Sequence, residues 1–263
     1  MPTFSFTSKN GVTDFTTYYP ETIDLSKSKY EAALIELTTY NSIPNIKRNV
    51  NNIFTYSSDN GATWKEITLN VGSYEHSDII NEIERQMIEN GDYDMTNDKF
   101  YIVIEPNMAE LKSIITITND AYQVKFGGKH SIGKVLGFPT AITLISGRHL
   151  SPKPVDITPV NSILVNTDLV NGRWFNNQHS SIIYSFAPPV GPGLPMIIVP
   201  RNLNYLPISQ FQISSIRVWL TDQNQRPLTN RDETLVVVID VREVKENRLE
   251  RAFTNAMKSL QEK

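Results

Sequence analysis

The chain has 263 residues, with 25 Lys+Arg against 28 Asp+Glu and a net charge of −3, so it has no long-range field suited to nucleic acid or an anionic membrane. It contains no cysteine, which excludes disulfide frameworks, thiol nucleophiles, thiolate zinc sites and iron–sulfur clusters together. A chain of this length buries roughly 70–75% of its unfolded surface and needs no covalent staple, and all-β sandwiches reach this size as single domains. The amino terminus lacks a basic region followed by an apolar one, and the longest apolar runs, such as Leu235–Ile239, are far short of a bilayer span. The expectation is a soluble, intracellular, folded protein.

Thirteen short β-branched and aromatic stretches, punctuated by Gly, Pro, Asn and Asp, predict strands. In chain order they are Thr3–Ser8, Tyr30–Tyr40, Asn52–Ser57, Thr63–Asn70, Lys99–Glu105, Ser113–Thr118, Tyr122–Phe126, Ala141–Ile145, Asn161–Leu169, Ser180–Phe186, Met196–Val199, Gln212–Thr221 and Glu233–Val244. Ser58-Asp59-Asn60-Gly61 carries an Asn-Gly hairpin signal between the third and fourth. In Gln212–Thr221, Ile216, Val218 and Leu220 share one face, opposite Arg217, Trp219 and Thr221. Glu233–Val244 alternates likewise, with Leu235, Val237, Ile239 and Val241 on one face and Val236 and Val238 marking a second, covered face. The polar stretch Asp222–Asp232 between them suits an antiparallel connection.

Two helices interrupt the pattern. In Ser77–Asn90, Ile79, Ile80, Ile83, Met87 and Ile88 form one face, Ser77 or Asp78 can cap the start, and Asn90-Gly91 supplies a stop; it reads as a helix laid across the sandwich edge. In Glu246–Gln261, Leu249, Phe253, Met257 and Leu260 form an apolar stripe, for docking on its own domain or on a partner. Ten of the fifteen prolines lie between Pro139 and Pro207. They fix long ordered loops or edge segments, notably Ala187–Pro195 with Pro188, Pro189 and Pro192. The fold class is thus all-β: a single jelly-roll sandwich (residues 1–244) with long loops and one inserted helix, followed by a C-terminal helical extension (245–263).

No residue pattern points to catalysis or a cofactor. His76, His130, His149 and His179 are never closer than 19 residues, so no metal-seating pair exists locally. No nucleophile elbow occurs, and Gly127-Gly128-Lys129-His130-Ser131 lacks phosphate-loop spacing; it reads as a turn capping a short helix. Asp156, Asp168 and Asp240 are candidate carboxylates only if the fold brings two together. Arg217, Arg242, Lys245 and Arg248 form a modest basic cluster, read as a solvated face. Trp174, Phe175 and Tyr205 are loop aromatics that a carbohydrate- or receptor-binding module could use, which is the alternative function.

The stretch Lys29–Ile46 (KYEAALIELTTYNSIPNI) resembles the first long strand of the minor capsid (penton) proteins of Maverick/polinton elements and virophages. Gly72–Asn81 is similar to that family's strand-to-helix passage. Val135–Phe138, Pro159–Leu164, Ser180–Pro188, Ile197–Pro200 with Leu203–Ile208, Ser215–Asn224 and Glu233–Glu243 continue in the family's order. The step Asp78-Ile-Ile-Asn81 is one residue longer than the family's, and the segment after residue 245 has no counterpart in it. The resemblance implies a non-enzymatic jelly roll that forms homopentamers at icosahedral vertices, contacts a double-jelly-roll major capsid protein and resides in the virion. Candidate interface residues are then Leu249, Phe253, Met257 and Leu260 on the helix and Pro188, Pro189 and Pro192 on the loop.

Overall fold

A computed structural model describes residues 3–8, 11–171, 173–231 and 233–244. The chain opens with β1 (Thr3–Thr7), β2 (Asp14–Asp24) and β3 (Tyr30–Tyr40). Residues 41–162 then add β4 (Ile53–Ser57), β5 (Lys65–Thr68), α1 (His76–Glu89), β6 (Tyr93–Asp94), β7 (Lys99–Phe100), β8 (Ile102–Asn107), β9 (Lys112–Ile117), β10 (Gln123–Phe126), a single 3-10 turn (Ile132–Lys134), β11 (Ile142–Leu144) and β12 (Gly147–Leu150). The rest supplies β13 (Ile163–Thr167), β14 (Arg173–Phe175), β15 (Gln178–Ser180), β16 (Ile182–Phe186), β17 (Pro195–Ile198), β18 (Leu206–Pro207), β19 (Gln212–Asp222) and β20 (Val236–Glu243).

Nine of these strands make the sandwich, eight of them in two four-strand ladders. One sheet has the order β1-β20-β3-β17, with β18 also on β3, and the other the order β16-β13-β19-β2. Taken in chain order, the first of the eight pairs with the eighth, the second with the seventh, the third with the sixth and the fourth with the fifth, all antiparallel. That nesting is a long hairpin rolled into two sheets, which is a jelly roll. The inward faces bury Phe4, Phe6, Leu34, Leu37, Val165, Ile216, Val218, Val237 and Ile239. Alternation explains their choice: from Ile216 to Leu220 in β19 and from Val237 to Val241 in β20 every second residue is buried. Thr221, expected on the outer face, is buried as well, where its hydroxyl accepts the Asn166 amide at 3.2 Å. Val236 and Val238 are half-buried on the second face. The Asp222–Asp232 stretch, expected to join two antiparallel strands, joins strands of different sheets. β19 pairs β13 and β2, while β20 pairs β1 and β3. Each strand finds a partner on the sheet where its apolar row faces inward.

Residues 41–162 build a second buried cluster. Phe54, Tyr56, Ile67, Ile79, Ile83, Met87, Ile115, Val124, Phe126 and Phe138 are its centre. β4 and β5 form the predicted hairpin, with Asn60 and Gly61 both at positive φ. Its loop runs longer than two residues because Asp59 organises it, accepting from the Thr63 N–H at 2.8 Å and the Ser57 hydroxyl at 2.7 Å. α1 packs against β5 and β8 inside this cluster, where the sequence reading put it across the sandwich edge. The helix starts one residue earlier than expected, with Glu75 as N-cap, and Asp78 accepts the Glu75 N–H at 2.9 Å. Ile88, placed on its buried face by spacing, is 46% exposed because it lies at that face's margin in the last turn. Asn90-Gly91 ends the helix, Gly91 having φ +76°. Ser131 caps the 3-10 turn, its Oγ accepting the Gly133 N–H at 3.1 Å, which is the local role expected for that segment.

Candidate assembly surfaces

The residues singled out as candidate catalysts stay apart. Asp156 faces Lys134 at 3.1 Å in the inserted unit, Asp168 accepts the Arg217 N–H at 2.9 Å, and Asp240 accepts the Tyr205 hydroxyl at 2.9 Å. Burial pushes the Asp168 carboxyl above the ordinary value. The basic cluster divides between sheets: Arg217 on β19 pairs with Asp14 at 2.6 Å and lies over Trp219, whereas Arg242 on β20 pairs with Glu31 at 2.5 Å and lies over Tyr205. Lys245 and Arg248 lie outside the described residues. Among the described residues, no three His, Asp or Glu side chains converge as a metal site, and no helix is long and apolar enough to cross a membrane.

The proline loop has a defined seat. Ala187–Leu194 connects β16 to β17, and Asn41 pins it: its Nδ2 donates to the Val190 carbonyl at 2.8 Å and its carbonyl accepts the Gly193 N–H at 2.8 Å. Behind the loop runs a crevice between the sandwich and the inserted unit, made of two connected cavities of about 260 and 420 Å³ that share Ile157, Thr158 and Pro192. Pro188 lines the first. The buried Asn45 amide holds the crevice floor, donating to the Tyr74 and Ile157 carbonyls at 2.7 and 2.8 Å and accepting the Tyr74 N–H at 2.9 Å. Met108 and Leu111 expose their side chains at the mouth. His76 stands on the wall, its Nε2 within 2.8 Å of Ser113 Oγ and its Nδ1 buried without a partner. Burial therefore holds its imidazole below the ordinary value.

Pro189 belongs to a different surface, a groove of about 490 Å³ where the two sheets end together. β16 is the last strand of one sheet and β17 of the other. Ile197 and Val199 are 65% and 64% exposed there, beside the half-buried rings of Tyr184 and Phe186. Sequence reasoning did not single these residues out, although a signal exists. Pro195–Val199 is apolar on both faces, with Met196 and Ile198 buried and Ile197 and Val199 outward, and a surface strand needs only one apolar face. The helix candidates Leu249, Phe253, Met257 and Leu260 lie outside the described residues. Trp174 and Phe175 sit on the β14–β15 hairpin, and Tyr205 lies in the loop before β18 under Arg242 of β20, so these three aromatics do not form one platform.

No protein-family profile matches the chain, and no curated protein matches it. Among solved structures it is similar to the mavirus penton protein, with 12% identity and a TM-score of 0.48 over 92% of this chain and 99% of that one. It is also similar to a chain of the Sputnik virophage structure, with 12% identity and a TM-score of 0.42 over 91% of this chain and 97% of that one.

Proposed function

We propose that this chain is a structural minor capsid protein, a penton subunit that forms homopentamers at icosahedral vertices and meets a double-jelly-roll major capsid protein in the virion. The observation that carries this reading is the ordered likeness of Lys29–Glu243 to the penton family. Its segments coincide with β3, the start of α1, β13, β16, β17, β18, β19 and β20, in a nested eight-strand jelly roll. Residues 1–244 act as one jelly-roll domain that carries the 41–162 insertion with its own core, and 245–263 as an extension whose Leu249, Phe253, Met257 and Leu260 contact a neighbouring subunit. Pro188, Pro189 and Pro192 hold the β16–β17 loop ready for contact, so little ordering entropy remains to be lost on assembly.

Native mass spectrometry of the purified chain and cryo-electron microscopy of particles test the reading. A pentamer with vertex density is expected; a strict monomer with empty vertices refutes it. Phe253→Asp with Met257→Asp is expected to weaken the oligomer, and unchanged assembly would assign that segment to its own domain. A second reading, carbohydrate binding, is favoured by Trp174, which is 68% exposed beside His179 with ring centroids 4.0 Å apart. Glycan-array binding lost in Trp174→Ala would support it.

A further inference from the structure

We infer that the two open sides of the sandwich are the two halves of one head-to-tail contact between copies of this chain, the β16–β17 side of one copy docking on the β1–β2 side of the next. This rests on the assembly reading above and adds which surfaces meet. Each sheet ends in a strand with a single partner on either side: β17 and β16 on one, β1 and β2 on the other. A cyclic ring needs two different patches on each subunit, and opposite sides of a sandwich supply them.

The chemistry of the two sides is complementary. The β16–β17 side presents Ile197, Val199 and Leu194, and its one charged residue between 182 and 203 is the exposed Arg201, which makes no ion pair among the described residues. The β1–β2 side presents Tyr18, 77% exposed, and Val12, with the exposed carboxylates Glu21 and Asp24 free of ion pairs among the described residues. Asp14, the third acid of that side, is already held by Arg217. An apolar patch with one cation thus faces an apolar patch on which acids outnumber the one described cation, Lys27 beside Asp24, and this favours pairing of unlike sides over like sides. On each side one of the two end strands is closed to strand addition by proline: Pro195 opens β17 and Pro200 follows it, and Pro20 interrupts β2. Proline lacks the N–H that strand addition needs, so at β17 and β2 side chains carry the contact.

The test is oligomer mass against concentration, with circular dichroism as the folding check. Ile197→Asp with Val199→Asp, and separately Tyr18→Asp, are expected to raise the dissociation concentration at least about tenfold. Arg201→Glu and Glu21→Arg are each expected to weaken assembly, and the double reversal to restore it, an outcome that loss of folding cannot imitate. A wild-type oligomer that these variants leave unchanged overturns the edge assignment while the penton reading stands. A wild-type chain that is monomeric at every concentration overturns both. An oligomer that is intact in all variants but loses a second capsid protein assigns the β16–β17 groove to that partner and likewise overturns the inference.

Discussion

The sandwich and the inserted unit are both rich in strands, yet they close in opposite ways. In the sandwich, Phe4 pairs with Ile239 and Thr16 with Arg217, so each sheet is completed only when the two ends of the chain meet. In the inserted unit, Ile53 pairs with Thr68 and Glu105 with Ile114 within short loops, and its longest-range ladder, Val124 with Tyr56, still spans far less chain than those sandwich pairs. Loop-closure entropy makes the first kind slow and the second fast. The two also differ in what they bury. The jelly roll buries its polar groups on side-chain and turn hydrogen bonds, with Asn230 donating to Thr39 at 2.7 Å and Asp222 accepting the Arg226 N–H at 2.9 Å, and holds no buried ion pair among the described residues. The inserted unit places Asp92 in its interior, where it accepts the Tyr56 hydroxyl at 2.6 Å and Lys65 Nζ at 2.7 Å. Burial, with the Asp92 carboxylate beside it, pushes the Tyr56 phenol well above its ordinary value. The difference teaches that the insertion can form early as a local unit, while the assembly surfaces exist only after the long-range hairpin has rolled up.

The sharpest way to break this contrast is to empty each core. Phe6→Ala in the sandwich and Phe126→Ala in the inserted unit should each cost about 3–5 kcal/mol, since both rings are fully buried. Trp219, beneath Arg217, reports on the sandwich, and Trp64, beneath Lys125, reports on the insertion. Phe6→Ala should lower the Trp219 melting transition and leave the Trp64 transition in place. Coincident shifts in both signals would erase the distinction. Asp92→Ala should cost about 1.5–3 kcal/mol, because it strands a buried phenol and a lysine, and it should act on the Trp64 transition alone. Asp78→Ala, which removes the acceptor of the Glu75 N–H at the start of α1, should cost about 0.5–1 kcal/mol in chemical denaturation.

The smallest effect is a pH dependence at the junction. The His76 imidazole is held low by burial, so the folded state resists its protonation. Stability from this group is complete above the unfolded value of ~6.5 and is lost as pH falls through the depressed folded value. His76→Gln should flatten the melting-temperature profile between neutral and mildly acidic pH. An unchanged profile would show that the crevice wall does not sense protons.

Much of the strand inventory was legible because its cause is local. β3 carries the residues Tyr30–Tyr40 that composition predicts, and β19 and β20 show the alternation that puts one row inside. β2 was not legible. Asp14–Asp24 mixes threonines, tyrosines, Pro20 and acids, has no fully buried residue, and is a strand because β19 offers it an edge. The same holds for the assembly surfaces. The prolines of the β16–β17 loop could be read as ordered, but their division between the crevice and the sheet-edge groove depends on where β16 and β17 stop.

The sequence by itself determined an all-β chain with an amphipathic helix near residues 77–90, no cysteine chemistry and no local catalytic motif, because composition and side-chain periodicity act over a few residues. Only the tertiary structure decided that the strands divide between a rolled hairpin and a locally closed insertion, and that apolar side chains remain at two opposite sheet edges. Pairing over more than two hundred residues leaves no local trace, since the partner of each strand is chosen by which apolar row it can cover.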